Sequence, residues 1–369
     1  MSNKQKKIIY ITGSRSDYGL MRHTLESLNR VSRLELIVVG MHLDKKYGFT
    51  INEINKDQFK IIAKIKYPKN QSTATNMISN FSFLLSRVSQ LLAKHSPDLV
   101  IVEGDRYDTL ALALAAKNLG ITVFHQGGGD ISGTIDDDIR RAITAFSDFH
   151  FAGNIFSAQR LNQSGINRNK IYMFGEPGLD DIANHNFSSP SLILEKFRIK
   201  PGEKVILYLQ HPDLKSRLKP IDQIRPVLQA IREVGVKTII IYPNNDAGSD
   251  QFIKEINRYK KLKNFSVYKS VPRDDFLGLL NVVSLIVGNS SSGLIETTLF
   301  NLPFINIGDR QKNRDGDTNV ISSDYNRTNI IRLIKKNLEK KGSFNLKYIY
   351  GRGRFTTQFV DFFQSKILN

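Results

Sequence analysis

The stretch "LIVGNSSSGLIETTLFNLPFINIGDR" (residues 285–310) joins two apolar runs through a serine-rich turn and a segment with helical spacing. Apolar runs without polar alternation are typical of parallel strands that are covered on both faces of a sheet. The stretch therefore predicts a strand–helix–strand unit, with small polar residues at the point where the first strand ends.

Similar apolar runs occur along the whole chain and fall into two series of similar length. The first series covers residues 8–12, 34–40, 99–105, 121–126, 149–153 and 171–175, and the second covers residues 205–210, 238–243, 265–271, 284–289 and 303–308. Helical spacing between the runs indicates an α/β protein with two doubly wound, Rossmann-like domains that face a cleft. We expect the hinge in the turn-rich "GEPGLDD" (175–181), which divides the chain into domains 1–178 and 179–369. We also expect the helical segment 356–368 to cross back to the first domain.

The 369-residue chain is basic, with 53 Lys and Arg against 35 Asp and Glu, and it has no cysteine. The absence of cysteine excludes disulfides, thiolate metal sites and cysteine nucleophiles. The lysines lie in scattered helix-like segments without interleaved aromatic residues, so we expect an enzyme for anionic substrates and no nucleic-acid partner. No apolar run approaches the roughly 20 residues of a membrane helix, and "IIYI" is shorter than a signal-peptide core of about 7–15 residues. We therefore expect a cytoplasmic protein without membrane insertion.

Small polar residues follow a predicted strand in "VGNSSSGLIE" (287–296). Small residues let the backbone turn tightly and approach a ligand, and a helix start offers unpaired N–H groups. Together with the serine hydroxyls, these groups are typical of an anion site suited to a diphosphate, beside which Glu296 can accept both hydroxyls of a ribose. The alternative is a serine N-cap with Glu296 closing a capping box.

The first domain has a similar arrangement in "ITGSRSDYG" (11–19). Arg15 either pairs with a phosphate in a bidentate manner or is a surface arginine beside a helix cap at Asp17. No G-x-G-x-x-G follows the strand and no G-x-x-x-x-G-K-[ST] loop is present, so neither a dinucleotide nor ATP is predicted. The seven histidines lack metal-binding spacing, and no metal site is predicted.

Three more candidates follow predicted strands. Asp105, at the tip of a strand, is either a catalytic carboxylate or a loop cap, and His211 is either a phosphate donor or a buried, hydrogen-bonded histidine. The glycine-rich "FHQGGGDISGTIDDDIRRAIT" (124–144) ends in aspartates that either act in catalysis or complement a helix dipole. These aspartates are Asp136, Asp137 and Asp138.

The motifs "TGSRSDYG", "GDRYDTLALALAA", "SGTIDDDIRRAIT", "GEPGLDDI", "YPNNDAG", "GNSSSGLIE" and "NIGDRQKNR" occur in this order over nearly the whole chain. As an ordered set they resemble the hydrolysing UDP-N-acetylglucosamine 2-epimerases of bacterial sialic acid and related nonulosonic acid synthesis. The resemblance implies the two-domain glycosyltransferase-like fold (GT-B) and a reaction that needs no nicotinamide, metal or other cofactor. In that reaction UDP is eliminated across C1–C2 of the sugar to leave a glycal, and water then adds with inversion at C2.

The resemblance also implies a role for individual residues. Asp105 and Asp136 are expected to be catalytic carboxylates, and Glu296 is expected to bind the ribose. Phe276 lies in the segment that meets the base. The residues expected around the diphosphate are Arg15, His211, Ser290, Ser291, Ser292 and Gly293. Arg310 matches a motif residue to which we assign no role.

The chain departs from the family pattern in "His125-Gln126-Gly127-Gly128-Gly129-Asp130", where the sialic acid enzymes have "H-I-E-G-G-E". Gly127 therefore replaces a carboxylate that is thought to act in catalysis. Three explanations remain open: Asp130 takes over as a catalytic carboxylate, the substrate is a 2,4-diacetamido-2,4,6-trideoxy sugar, or hydrolysis is lost.

The resulting prediction is a hydrolysing 2-epimerase of a UDP-linked N-acetylated amino sugar, by default UDP-GlcNAc to ManNAc and UDP, for nonulosonic acid or surface polysaccharide synthesis. The alternative substrate is UDP- or GDP-N,N'-diacetylbacillosamine. Further alternatives are a GT-B glycosyltransferase and a non-catalytic nucleotide-sugar sensor. The expected partners are the nucleotide sugar and further copies of the chain, as a dimer or tetramer.

Overall fold

The first domain is built on a seven-stranded parallel sheet in the computed structural model, which describes residues 5–71 and 73–368. Its strands are β1 (Lys7–Thr12), β2 (Arg33–Val39), β3 (Lys60–Ile65), β4 (Leu99–Glu103), β5 (Thr122–Gln126), β6 (Phe149–Ala152) and β7 (Ile171–Met173). Its helices are α1 (Arg15–Val31), α2 (Ile51–Lys56), α3 (Ala74–His95), α4 (Tyr107–Asn118), α5 (Asp136–Ala145), α6 (Ile155–Gln163) and α7 (Gly178–Ala183). The strand order is β3-β2-β1-β4-β5-β6-β7, so the winding direction reverses between β1 and β4.

The second domain repeats this plan with a six-stranded parallel sheet of order β10-β9-β8-β11-β12-β13. Its strands are β8 (Val205–Leu209), β9 (Lys237–Ile241), β10 (Phe265–Tyr268), β11 (Leu285–Gly288), β12 (Phe304–Ile307) and β13 (Val320–Ser323). Its helices are α8 (Pro190–Lys196), α9 (Pro220–Val234), α10 (Ser249–Tyr259), α11 (Arg273–Val282), α12 (Glu296–Leu299) and α13 (Arg327–Asn337), and α14 (Phe355–Phe363) follows the domain in sequence. Here the winding reverses between β8 and β11, and the predicted pair of doubly wound domains is confirmed.

Both faces of each sheet are buried, which explains why the strands are continuous apolar runs. In β8, Val205 and Leu207 pack toward α11, whereas Ile206 and Tyr208 pack toward α9 and α10. These four side chains have no exposed surface. Because each fully buried side chain of this size contributes about 1.5–3 kcal/mol, a polar residue in the strand would be costly on either face.

Helix α14 lies against the first sheet although it follows the second domain in sequence. Its phenylalanines join the aromatic core on one face of that sheet, where the rings of Phe359 and Phe151 are 4.7 Å apart. The start of the helix is held by Asp180 of α7, which accepts hydrogen bonds from the backbone N–H groups of Phe355 (3.0 Å) and Thr356 (2.6 Å). The last helix therefore packs on the first domain.

Two edge strands, β3 and β13, were not anticipated from the sequence. The segment "KIIAKI" of β3 carries two lysines and is largely half-exposed, and "VISS" of β13 is short and half polar. Edge strands bury less surface than central strands, so their sequences lack the apolar signal used for prediction. Within the described residues, no helix is both long enough and apolar enough to span a bilayer.

Candidate functional site

Two connected cavities lie in the cleft between the domains, at the carboxyl ends of the central strands. The acidic cavity, of about 140 Å³, is lined by Glu103, Asp105, Asp130, Asp136, Arg140 and Glu176, among others. The serine cavity, of about 100 Å³, is lined by Arg15, His211, Phe276, Ser290, Ser292 and Glu296, among others. Ser16, Ser291, Ile295 and Arg310 line both cavities, so one elongated ligand can occupy both. Every residue predicted for the site lines one of the cavities, except Gly293 and the candidate aspartates Asp137 and Asp138.

Gly293 is the last residue of the serine segment (residues 290–293), and a side chain on it would face the sheet. A Cβ atom at this position would be 2.5 Å from the ring of Phe304, so the glycine permits close packing of the loop on β12. This geometry concerns only the absent side chain, and the contact of Gly293 with the nucleotide stays a prediction. The serine segment itself forms a short 3₁₀ turn (Ser291–Gly293) before α12, which has only four residues. A helix this short has little dipole, so an anion here would depend on hydroxyl, amide and guanidinium donors.

Glu296 does not close a capping box. Its Oε1 accepts a 2.7 Å hydrogen bond from Nη1 of Arg273, whose Nη2 donates to the carbonyl oxygen of Gly178 at 2.8 Å. Among the residues that the structure describes, no group donates to Oε2 of Glu296. Arg273 therefore fixes the carboxylate in the serine cavity and leaves one oxygen for a ligand hydroxyl.

His211 is held in one tautomer. Its Nδ1 accepts a 3.1 Å hydrogen bond from the backbone N–H of Asn244, so the ring proton lies on Nε2. Burial, with a smaller effect of Arg310, lowers the pKa of His211 well below its usual value, and the ring is neutral at pH 7. The side-chain amide of Asn289 holds the backbone of His211. Its Oδ1 accepts a hydrogen bond from the N–H of His211 at 2.7 Å, and its Nδ2 donates to the carbonyl oxygen of His211 at 2.9 Å. The neutral ring is therefore a fixed N–H donor at the serine cavity.

Arg15 and Phe276 complete the serine cavity from opposite domains. Arg15 is half-buried at the start of α1, and its Nη1 donates to Oγ of Ser270 in the second domain at 2.9 Å. The Asp17 cap predicted beside it is present, because Asp17 forms a reciprocal capping box with Ser14. Phe276 is buried in α11 and presents an apolar wall to the cavity.

Asp105 and Asp136 approach the acidic cavity from neighbouring elements of the first domain. Asp105 pairs with Nη2 of Arg140 in α5. Asp136 begins α5, accepts a 2.7 Å hydrogen bond from Thr134 and lies 3.8 Å from Nη2 of Arg310. Burial and then the charge of Asp105 raise the pKa of Asp136 to about 6. A carboxyl group with this pKa can accept and return a proton near neutral pH.

Asp130, by contrast, has both carboxylate oxygens occupied. Oδ2 accepts a 2.7 Å hydrogen bond from Nη2 of Arg314 in the second domain, and Oδ1 accepts one from the hydroxyl of Ser157. Its carbonyl oxygen accepts a further 2.7 Å bond from Arg140. This geometry is that of a buried interdomain ion pair.

Several lining residues were missed from the sequence. Glu103 and Glu176 are carboxylates in the acidic cavity, and burial raises the pKa of each. Arg140 and Arg314 hold the aspartates, and Arg310, to which no role was assigned, lies where the two cavities meet. The signal for Glu103 was its position two residues before Asp105 at a strand end. Within the described residues, no cluster of three or more His, Asp or Glu side chains is arranged to hold a metal ion.

Two doubly wound domains with paired cavities in the cleft define the GT-B-like class of α/β folds. The chain belongs to the UDP-N-acetylglucosamine 2-epimerase family, whose model matches residues 26–364. The resemblance stated from the sequence motifs is therefore confirmed.

Relatives and solved structures agree with this assignment. Over 353 residues the chain is 35% identical to a UDP-N,N'-diacetylbacillosamine 2-epimerase (hydrolyzing) of Legionella pneumophila, covering 95% of this chain and 93% of the relative. Over 334 residues it is 33% identical to a UDP-N-acetylglucosamine 2-epimerase of Neisseria meningitidis, covering 90% and 87%. A crystal structure of Methanocaldococcus jannaschii UDP-GlcNAc 2-epimerase with UDP-GlcNAc and UDP matches with a TM-score of 0.81 at 20% identity, over 97% of this chain and 99% of that one. The predicted GT-B-like architecture is confirmed.

Proposed function

We propose that the protein is a hydrolysing 2-epimerase of a UDP-linked, N-acetylated amino sugar, which releases UDP and the free sugar inverted at C2. The observation that carries the proposal is the pair of connected cavities. One offers neutral and charged donors for a diphosphate, the other offers carboxyl groups for proton transfer, and Arg310 lies at their junction. Membership of the family supports the same reaction class.

The serine cavity is proposed to bind the UDP moiety. Phe276 lies against the base and the free oxygen of Glu296 accepts the ribose hydroxyls. The diphosphate receives hydrogen bonds from the serine segment and from Nε2–H of His211, and charge compensation from Arg15 and Arg310. Because the C2 proton of a sugar is weakly acidic, stabilisation of the departing UDP must supply much of the rate enhancement.

The acidic cavity is proposed to bind the sugar. The carboxyl pair formed by Asp105 and Asp136 removes the C2 proton while the bond from C1 to the UDP oxygen breaks. The raised pKa of Asp136 suits this step, because a more basic carboxylate takes a weakly acidic proton more readily. Arg140 keeps Asp105 in place through an ion pair.

UDP-N,N'-diacetylbacillosamine is a second candidate substrate beside UDP-GlcNAc. The observation favouring it is the Legionella relative, which is named for that substrate and matches 95% of this chain at 35% identity. The glycine at 127 is compatible with either substrate. Its backbone has φ +83°, which side-chain-bearing residues rarely adopt, so a glutamate here would require a different loop conformation.

The proposal is tested by incubating the purified protein with UDP-GlcNAc, UDP-N,N'-diacetylbacillosamine, its GDP analogue and UDP-glucose, and following products by NMR. We expect UDP and a free manno-configured 2-acetamido sugar from one of the acetamido substrates, without an added acceptor. Turnover that requires an acceptor would identify a glycosyltransferase, and UDP binding without turnover of any substrate would identify a sensor. Light scattering on the same sample tests the expected dimer or tetramer.

A further inference from the structure

Inversion at C2 imposes a requirement on the acidic cavity that the Asp105–Asp136 pair alone does not meet. Elimination removes the C2 proton from one face of the sugar, and addition must deliver a proton to the opposite face. Asp105 and Asp136 are close enough for the charge of Asp105 to raise the pKa of Asp136, and we take such a coupled pair to serve one face of the sugar. A second proton-transfer group must therefore lie elsewhere in the cavity, and the glycine at 127 means that it does not come from that position.

Asp130 is poorly placed for this task. Its side chain is bound by Arg314 and Ser157, and these contacts fix both oxygens. A proton on Asp130 would break a buried ion pair between the domains, which is energetically costly. Asp130 is instead a positioning residue, because its bond to Arg314 joins the first domain to the second at the acidic cavity.

Glu176 differs from Asp130 in the contacts of its carboxyl group. It lines the acidic cavity, yet no side chain among the residues that the structure describes donates a hydrogen bond to its carboxyl group. Its backbone is fixed on both sides, since its N–H donates to the carbonyl of Tyr350 (3.1 Å) and its carbonyl accepts from Leu179 (3.1 Å). A Cβ atom at residue 153 would lie 2.0 Å from Oε1 of Glu176, so Gly153 provides the space in which the carboxyl group sits.

The position of Glu176 is separate from that of the Asp105–Asp136 pair. Nη2 of Arg140 contacts Asp105, and its Nη1 donates to the carbonyl of Asp130, the residue whose charge acts most on Glu176. The charges that act most on Glu176 are those of Asp130 and Arg314, whereas Asp105 and Arg310 act most on Asp136. Burial, followed by the charge of Asp130, raises the pKa of Glu176 to about 8, so the group carries its proton at pH 7.

We propose that Glu176 is the catalytic acid that protonates C2 in the second half of the reaction, on the face opposite the Asp105–Asp136 pair. This inference rests on the proposed function. In the first step the pair takes the C2 proton, the C1–O bond to UDP breaks and the C1=C2 double bond forms. In the second step the carboxyl proton of Glu176 adds to C2 and the hydroxide part of a water adds to C1. The remaining water proton restores Glu176, and the proton held by the pair passes to solvent with the departure of UDP.

The test is the product distribution of Glu176→Gln, which keeps the shape and the neutral charge of the protonated group but cannot donate the proton. We expect UDP release within about tenfold of wild type, with the 2-acetamidoglycal as the main product and at least a 100-fold loss of free epimerised sugar. Wild-type product formation should also fall above about pH 8, where Glu176 loses its proton, and Glu176→Gln should lack this limb. Glu233→Gln, an exposed surface change, is the matched control.

The outcomes separate this inference from the proposed function. If the wild-type protein turns over none of the nucleotide sugars, the proposed function fails. If the wild type is active and Glu176→Gln yields free sugar at an unchanged rate, Glu176 is not the acid. Glycal accumulation in Glu103→Gln instead would transfer the role to Glu103. Thermal unfolding with and without UDP checks that Glu176→Gln folds, and Glu176→Asp, which retains an acid, should restore part of the free-sugar product.

Discussion

Asp130→Asn is predicted to act mainly on the free energy of unfolding and much less on the rate of the chemical step. The carboxylate lies in the loop between β5 and α5, and its partner Arg314 lies in the loop between β12 and β13 of the other domain. Their side chains are 2% and 11% exposed, so the substitution leaves a buried guanidinium without its counter-charge. Removing one member of a buried pair costs about 3–5 kcal/mol. The asparagine oxygen can still accept one hydrogen bond, and we expect a loss of about 3 kcal/mol.

At about 2 °C per kcal/mol for a large domain, this loss corresponds to a Tm lower by about 6 °C. The assay is thermal unfolding of Asp130→Asn, Arg314→Gln and the double variant, together with kcat for each. The double variant should be more stable than the sum of the single losses implies, because the pair is removed together. Asp309→Asn, in the same loop as Arg314 but 74% exposed, is the control and should unfold within about 1 °C of wild type.

The opposite pattern would refute this reasoning. If Asp130→Asn unfolds like the wild type but loses more than about 100-fold in kcat, then the carboxylate takes part directly in proton transfer. Asp130 would in that case be the catalytic residue that the sequence motif suggested, and its ion pair would be incidental.

Three further predictions concern the proposed site. UDP at a hundredfold excess over Kd should stabilise the protein by about 2.7 kcal/mol, and Glu296→Ala should reduce this shift; no shift with UDP or GDP would contradict the assignment of the serine cavity. Asp105→Asn should lower kcat by about 10²–10⁴-fold with UDP affinity nearly intact, and turnover within about tenfold of wild type would make Asp105 a loop cap. The kcat/KM should fall as the pH is lowered through about 6, because Asp136 must be ionised to accept the C2 proton and burial raises its pKa to that value. If kcat/KM is the same from pH 7 to pH 5, Asp136 is not the base.

Much of the architecture could be predicted from the sequence because strands buried on both faces need continuous apolar residues. The runs at β1, β4, β8 and β11 have this character, and they are the strands on which the winding of each sheet reverses. Ligand-contacting residues follow such strands, so Arg15, Asp105 and the serine segment could be placed near the cleft from local sequence. The edge strands β3 and β13 bury less surface, and for that reason their sequences carried little signal.

What the tertiary structure alone decided is which side chains meet across the cleft and which carboxyl groups remain free. The sequence left Glu296 as either a ribose acceptor or part of a capping box, and Arg273, from a different helix, binds its carboxylate in place of a cap. Asp130 and Glu176 are both carboxylates in glycine-containing turns, and nothing in their local sequences distinguishes them. The fold brings Arg314 onto Asp130 from 184 residues away and leaves the carboxyl group of Glu176 against Gly153. Charge pairing and burial depend on these distant contacts, so the protonation of each group is set by the packing of the two domains, and the catalytic roles that we propose rest on that packing.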